Sequence, residues 1–252
     1  MCDPDASKVT VLGSSKDRYE EAAKLLVELC KDRYGARLSS IILYGSSAVH
    51  DSVSGFSDLD VMLVMENYAV RPQDHDMLGS IKEIVKRRTG VGIHEAWVFG
   101  RSLLLSVPTI WEALSARTIY GEPVIEKAPL LELHKKTSIK MMHDLRELWE
   151  RKRNNLDPTE KAKTALGQTL KFAQNALLYN GVVRLRKEEI VTAFEENFRE
   201  FRMRHFPRRA YENILAWEEV KNNKEKLRQL IDEFEGFHDN LYWLIALKTL
   251  LE

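Results

Sequence analysis

Apolar residues along this chain follow two different periods, and the change from one to the other divides it. Residues 16–34 (KDRYEEAAKLLVELCKDRY) place Ala22, Leu25, Leu26, Leu29 and Cys30 at helical spacing. An amphipathic helix is predicted there, ended by Gly35 as a left-handed C-terminal residue. Three short apolar runs follow, SSIILYG, DLDVMLVM and GIHEAWVFG, each of strand length and bounded by glycine or polar residues. Residues 74–88 return to the helical period between the second and third runs, which leaves parallel or antiparallel pairing of those strands open. Ser106 to Tyr120 reads as a further helix followed by a short extended piece, and Gly121-Glu122-Pro123 as a turn.

From Pro129 onward the helical period is almost unbroken, with helices predicted over 130–153, 159–180, 187–204, 209–222 and 224–251. Asp157 is placed to cap the second of these with Pro158 at its first position, while Gly181 and Pro207 act as breaks. The expected fold class is α+β: a small mixed sheet with flanking helices, followed by an all-α helical bundle. The expected domains are residues 1–125 and 126–252.

Composition narrows the function classes. The 252 residues are 44% hydrophobic and 30% charged, the profile of a chain that can bury a real core. Lys+Arg and Asp+Glu both number 38, so no broad basic footprint for nucleic acid is present. Cys2 and Cys30 lack metal-ligand spacing and form no disulfide framework, which fits a reducing compartment. MCDPDASK carries no apolar signal region, and no apolar run is long enough to span a bilayer. A cytoplasmic protein without a membrane partner is expected. Oligomeric state stays open, a homodimer included.

The candidate chemistry lies in LYGSSAVHDSVSGFSDLDVMLV, residues 43–64. A strand ends in Gly45-Ser46, a polar loop follows, and a second strand opens at Asp58-Leu59-Asp60. Side chains two apart on a strand share a face, so Asp58 and Asp60 project together. Adjacent carboxylates repel, and a hard divalent cation (Mg²⁺ or Mn²⁺) shared with phosphate oxygens would relieve the repulsion. Gly45, Ser46 and Ser47 offer close backbone approach, N–H groups and hydroxyls to a phosphate. Ser57 is a further candidate ligand at the loop's end, although it also reads as a loop terminator. A third acid is expected in the strand IHEAWVF, where alternation groups Ile93, Glu95, Trp97 and Phe99 on one face; Glu95 is the candidate, ahead of His94.

This order of residues resembles the nucleotidyltransferase superfamily related to DNA polymerase β, with its hG[GS], spacer, Dh[DE]h signature and later acidic strand residue. It is most similar to the minimal and antibiotic-modifying branches, in which a small catalytic domain precedes a helical one. The resemblance spans roughly residues 20–125, and RTIYGEPVI is similar to the segment that closes such domains. It implies the nucleotidyltransferase fold, with Gly45 and Ser46 on the triphosphate and Asp58, Asp60 and Glu95 as metal ligands. The third acid would also help activate the acceptor hydroxyl. Two departures stand out: Ala48-Val49-His50-Asp51 replaces an Arg-Gly pair, and the third acid is Glu after His.

The expected reaction is transfer of a nucleoside monophosphate from a nucleoside triphosphate (NTP) to an acceptor hydroxyl, with release of pyrophosphate. A small-molecule or protein hydroxyl is favoured over RNA because the net charge is zero. The competing expectation is an antitoxin-like or regulatory module that binds nucleotide or a partner without turnover. Lys135, Lys136 and Lys140 are candidates to reach the triphosphate across a cleft, although a solvated helix face explains them better. KTALGQTLKFAQNALLYNGVVRLRKEEIVTAFEENF resembles helical domains paired with such enzymes, including the HEPN type. The HEPN-like spacing of Arg199 and His205 falls in an arginine-dense stretch where chance explains it better.

Overall fold

The structure is a computed structural model that describes residues 15–66, 71–100, 110–125 and 134–251. LSSIILY forms β1 (Leu38–Tyr44) and LDVMLVM forms β2 (Leu59–Met65), both buried along most of their length. With β3 (Ile93–Gly100) and β4 (Arg117–Gly121) they make a four-stranded sheet ordered β3-β2-β1-β4. β1 is antiparallel to β2 and β4, whereas β2 and β3 are parallel. The parallel pair is joined through α3 (Pro72–Thr89), the crossover that parallel pairing requires. The chain is thus α+β with a small mixed sheet, as its apolar periods predict.

Alternation assigns the two faces of the sheet. Ile41, Leu43, Leu59, Val61 and Leu63 pack under α1 (Ser15–Tyr34) and α3, around the buried Leu26 and Cys30. Ile42, Tyr44, Met62 and Val64 face the other way and meet Phe99. Buried Asp74, at the start of α3, accepts two hydrogen bonds from Arg37, at 3.0 and 2.6 Å, so its charge is matched.

β3 departs from simple alternation. Leu59 pairs with Ile93 but Val61 pairs with Ala96, so three steps on β3 match two on β2. The additional residue is a bulge at His94-Glu95, and it shifts the phase of everything after it. Ile93 therefore packs in the same cluster as Ala96 and Val98, not with Trp97 and Phe99 as alternation predicts. Trp97 and Phe99 stack on each other at 5.9 Å, and the Trp97 Nε1 donates to the Tyr44 hydroxyl at 3.1 Å.

Beyond the sheet come α4 (Ile110–Ser115), then α5 (His134–Lys152), α6 (Pro158–Tyr179), α7 (Lys187–Asn197), α8 (Phe206–Leu215), α9 (Trp217–Val220) and α10 (Lys224–Leu251). α2 is the single turn Gly45–Ala48 after β1. Asp157 caps α6 by accepting from the N–H groups of Thr159 and Glu160, with Pro158 at the first position. The predicted helix 187–204 stops at Asn197, and α8 starts three residues before the predicted 209 and breaks at Ala216. Residues 198–206 instead bond i to i+3 (Phe201 to Phe198, Arg204 to Phe201, Phe206 to Met203). That path lets Phe198, Phe201, Met203 and Phe206 all reach the core around Phe237. One continuous helix would spread those four over more than half its circumference.

The helices after residue 134 share one apolar core, centred on Trp149, Phe172, Phe194 and Phe234. A residue of the sheet half joins it. Phe56, in the loop between α2 and β2, packs edge-on against Trp217 with ring centroids 5.5 Å apart. No helix among the described residues is long and apolar enough to cross a membrane.

Candidate active site

A cavity of about 480 Å³ opens between the loop-bearing edge of the sheet and helices α5, α6 and α7. Gly45, Ser46, Ser57, Asp58, Asp60 and His94 line its sheet side. Asp58 precedes β2 and Asp60 lies within it, so period two brings both carboxylates into one space, as predicted.

Two glycines let the backbone approach these carboxylates. Gly45 has φ +67°, and a Cβ there would stand 2.7 Å from Asp60 Oδ2. Gly92 gives the same clearance to Asp58, whose Oδ1 would lie 2.6 Å from a Cβ at that position. Gly45 donates its N–H to Ser115 Oγ at 2.9 Å, and that hydroxyl donates in turn to the Trp111 carbonyl at 2.7 Å. The Gly45 N–H is therefore engaged within the protein rather than presented to a ligand. Ser46 lines the cavity. Ser47 is buried, and its hydroxyl donates to the Tyr44 carbonyl at 3.4 Å, so it braces the turn from behind. Ser57 lines the cavity while its Oγ accepts the Val53 N–H at 2.9 Å.

A lysine approaches one acid and an imidazole the other. Lys163 of α6 reaches Asp58, Nζ to Oδ2 3.4 Å, and also lies over the Phe56 ring at 5.8 Å. His94 Nδ1 stands 4.0 Å from Asp60 Oδ1, a position it owes to the bulge in β3. Glu95 occupies the bulge beside His94; its side chain, like those of Lys135 and Lys136, lies outside the described residues.

The loop between α2 and β2 is fastened from two directions. Tyr19 of α1 donates its hydroxyl to the carbonyls of Val53 at 3.0 Å and Ser57 at 2.8 Å. Burial, reinforced by the Asp58 charge, pushes that phenol up to about 12, which keeps it a donor. From the helical side, Lys187 clamps Asp51: its N–H donates to Oδ2 at 2.7 Å, and its Nζ lies 3.1 Å from the same oxygen and also donates to the Asp51 carbonyl. Burial holds the Lys187 ammonium below its usual range, partly offset by the Asp51 charge.

Among the described residues no group of three acids, histidines or cysteines converges on one point. The donor set is two hard carboxylates with open backbone beside each, one of them already holding an ammonium in the manner of a counter-cation. That set fits a divalent ion of the Mg²⁺ type, which typically takes one or two protein carboxylates and completes its shell with water and substrate phosphate.

Sequence reading missed Lys163, Lys187, Trp111 and Ser115. Lys163 and Lys187 lie 105 and 136 residues from their partners, and no local pattern marks such pairs. Lys140 pairs with Asp144 at 3.0 Å on the exposed surface, and it is Asp144 that borders the cavity. Arg199 and His205 do not line the cavity; His205 is bound to Glu195 at 2.9 Å, which also accepts from Arg208.

No protein-family model matches the sequence, and no curated protein matches it. The fold, however, is similar to that of a solved structure, spectinomycin adenyltransferase AAD(9) from Enterococcus faecialis, crystallised with ATP and spectinomycin. The two superpose with a TM-score of 0.58 over 88% of this chain and 98% of that one, at 11% sequence identity. A likeness of this extent at so low an identity is one of fold alone, and it takes in the sheet and the helical half together.

Proposed function

We propose that the protein is a metal-dependent nucleotidyltransferase that moves a nucleoside monophosphate from an NTP to an acceptor hydroxyl. One observation carries the reading. Asp58 and Asp60 share a cavity with Gly45-Ser46, where Gly45 holds a left-handed backbone and both Gly45 and Gly92 pass close to the carboxylates. The similarity in fold to an enzyme solved with ATP supports it. Residues 1–125 serve as the catalytic domain in this reading, and 126–252 as the domain that selects the acceptor.

Asp58 and Asp60 would hold Mg²⁺ or Mn²⁺ against the triphosphate, and the ion would supply charge stabilisation and a lowered pKa for the acceptor hydroxyl. The residues do the placing. Ser46 offers its hydroxyl to a phosphate oxygen, and Asp58 and Asp60 present their carboxylates to the same cavity, with the glycines at 45 and 92 leaving room beside them. Lys163 lies beside Asp58, where it can turn toward a phosphate once that carboxylate is otherwise engaged. The acceptor oxygen forms its bond to the α-phosphorus as the bond to pyrophosphate breaks. The hydroxyl proton passes to a carboxylate, the role this reading gives to Glu95. Pyrophosphate leaves with the charge of the broken bond.

Calorimetric titration of ATP, GTP, CTP and UTP with Mg²⁺, on wild type and on Asp58→Asn/Asp60→Asn, tests the reading. Metal-dependent binding that the double variant loses is expected. No binding of any NTP would replace the enzyme with a domain acting through protein contacts.

A further inference from the structure

We infer that the acceptor is an uncharged, amphipathic hydroxyl compound with an apolar body, not a polyamine-bearing sugar. The inference rests on the nucleotidyl-transfer reading and concerns the wall of the same cavity that the helices contribute.

Met141, Leu145 and Leu148 stand at i, i+4 and i+7 on α5, a single stripe, and all three are half-buried on the cavity wall. Met142 and Trp149, from the adjoining face of the same helix, enter the core instead. Leu145 packs against that core too, so Met141 and Leu148 are the apolar surface on this face beyond what the core consumes. Half-buried Leu185 of the following loop completes the wall, backed by Leu170 of α6 and Ile190 of α7, which belong to the core. Ligand pockets of this size are commonly apolar with a few placed polar groups, and the apolar part sets the class of ligand.

Charge points the same way. A diamine such as spectinomycin needs carboxylates left for it. Asp51 is clamped by Lys187, Asp58 faces Lys163, Asp144 is paired with Lys140, and Asp60 is engaged. Glu112 is engaged as well. The polar residues that α6 contributes to the cavity are Lys171, Gln174 and Asn175: a cation and two amides. Asn175 is committed at both ends, accepting from Trp111 Nε1 at 2.9 Å and donating to the Lys171 carbonyl at 2.8 Å, and the Gln174 amide nitrogen donates to the Arg184 carbonyl at 2.6 Å. A cationic ligand would meet repulsion from Lys171 with no unpaired anion to offset it, whereas an apolar body would gain by covering the leucines.

The test compares two probes on the full chain with Mg²⁺ and a non-hydrolysable NTP analogue: n-octyl β-D-glucoside, uncharged with an apolar tail, and spectinomycin. Equilibrium binding by saturation-transfer NMR and calorimetry is expected to favour the glucoside at least tenfold. Leu148→Glu, and independently Leu185→Glu on the loop in case the first fails to fold, should weaken the glucoside at least tenfold and the NTP analogue less than twofold. Tighter binding of spectinomycin, or variants that weaken the nucleotide and spare the glucoside, overturns the inference. Glucoside binding with no metal-dependent nucleotide binding would instead overturn the transfer reading and leave the apolar wall standing, so the two failures are distinguishable.

Discussion

Lys163 on α6 and Asp58 at the entrance to β2 form an ion pair at 3.4 Å, joining the helical half to the candidate metal site across 105 residues. Both side chains are partly exposed, 24% and 31%, so the pair itself contributes little to stability. Its interest is competition, because an ammonium and a divalent ion seek the same carboxylate. Lys163→Met is expected to tighten Mn²⁺ binding in the absence of nucleotide by up to about fivefold, the equivalent of the ~0.2–1 kcal/mol an exposed pair is worth. Titration followed by the Mn²⁺ electron paramagnetic resonance signal measures it. Unchanged or weaker metal binding would show that the pair does not guard Asp58.

Gly45 is where backbone geometry and chemistry coincide. Its φ of +67° is unfavourable for any other residue, and a Cβ would lie 2.7 Å from Asp60 Oδ2. Gly45→Ala should cost about 1–2 kcal/mol in unfolding free energy from the left-handed backbone. Nucleotide binding should fall by far more than that cost alone accounts for, because Asp60 must move. A urea melt alongside nucleotide titration separates the two effects. A variant that binds nucleotide normally would remove Gly45 from the site.

Lys187 and Asp51 are coupled more strongly than the surface pairs. Their side chains are only 12% and 16% exposed. Lys187→Met leaves a largely buried carboxylate uncompensated and should destabilise the fold by about 3 kcal/mol. Adding Asp51→Asn should recover part of that loss, a positive coupling in a double-mutant cycle. Additive losses would mean the clamp is incidental.

His238 supplies the pH dependence. It is buried between Phe172 and Phe234, and desolvation takes its pKa down to about 4 from 6.5. The folded protein therefore resists the proton that the unfolded chain accepts. The stability tied to this neutral ring is fully present above about pH 6.5 and drains away as the pH falls toward 4, by about 3 kcal/mol in all. Unfolding free energies measured at pH 7 and pH 4.5 should differ less in His238→Leu than in wild type. Equal pH dependence in both would place the titration elsewhere.

What the sequence revealed and what it hid follow from the range of each interaction. Asp58, Asp60 and Gly45 are legible because strand period and a glycine before a polar loop are local signals. The α6 cap at Asp157-Pro158 is legible for the same reason. The bulge at His94-Glu95 is not, because it is defined by pairing with β2, and alternation carried through it misassigns Ile93. Helix α7 ends early for a similar reason: the aromatic core around Phe237 decides where Phe198 and Phe201 go, and the helical period of the segment does not reveal it. Lys163 and Lys187 belong to the site only through the docking of the two halves, which no window of sequence contains.

Phe56 places a constraint on how such a protein can be remodelled over generations. The loop that ends at Asp58 is anchored by a ring lodged among the helices, against Trp217. Recombination near residue 125 that imported an unrelated helical segment would bring new specificity but no socket for that ring, and the acids would lose their footing. Diversification of the cavity is therefore expected to proceed by point substitution along α5, α6 and α7, with the bundle inherited whole.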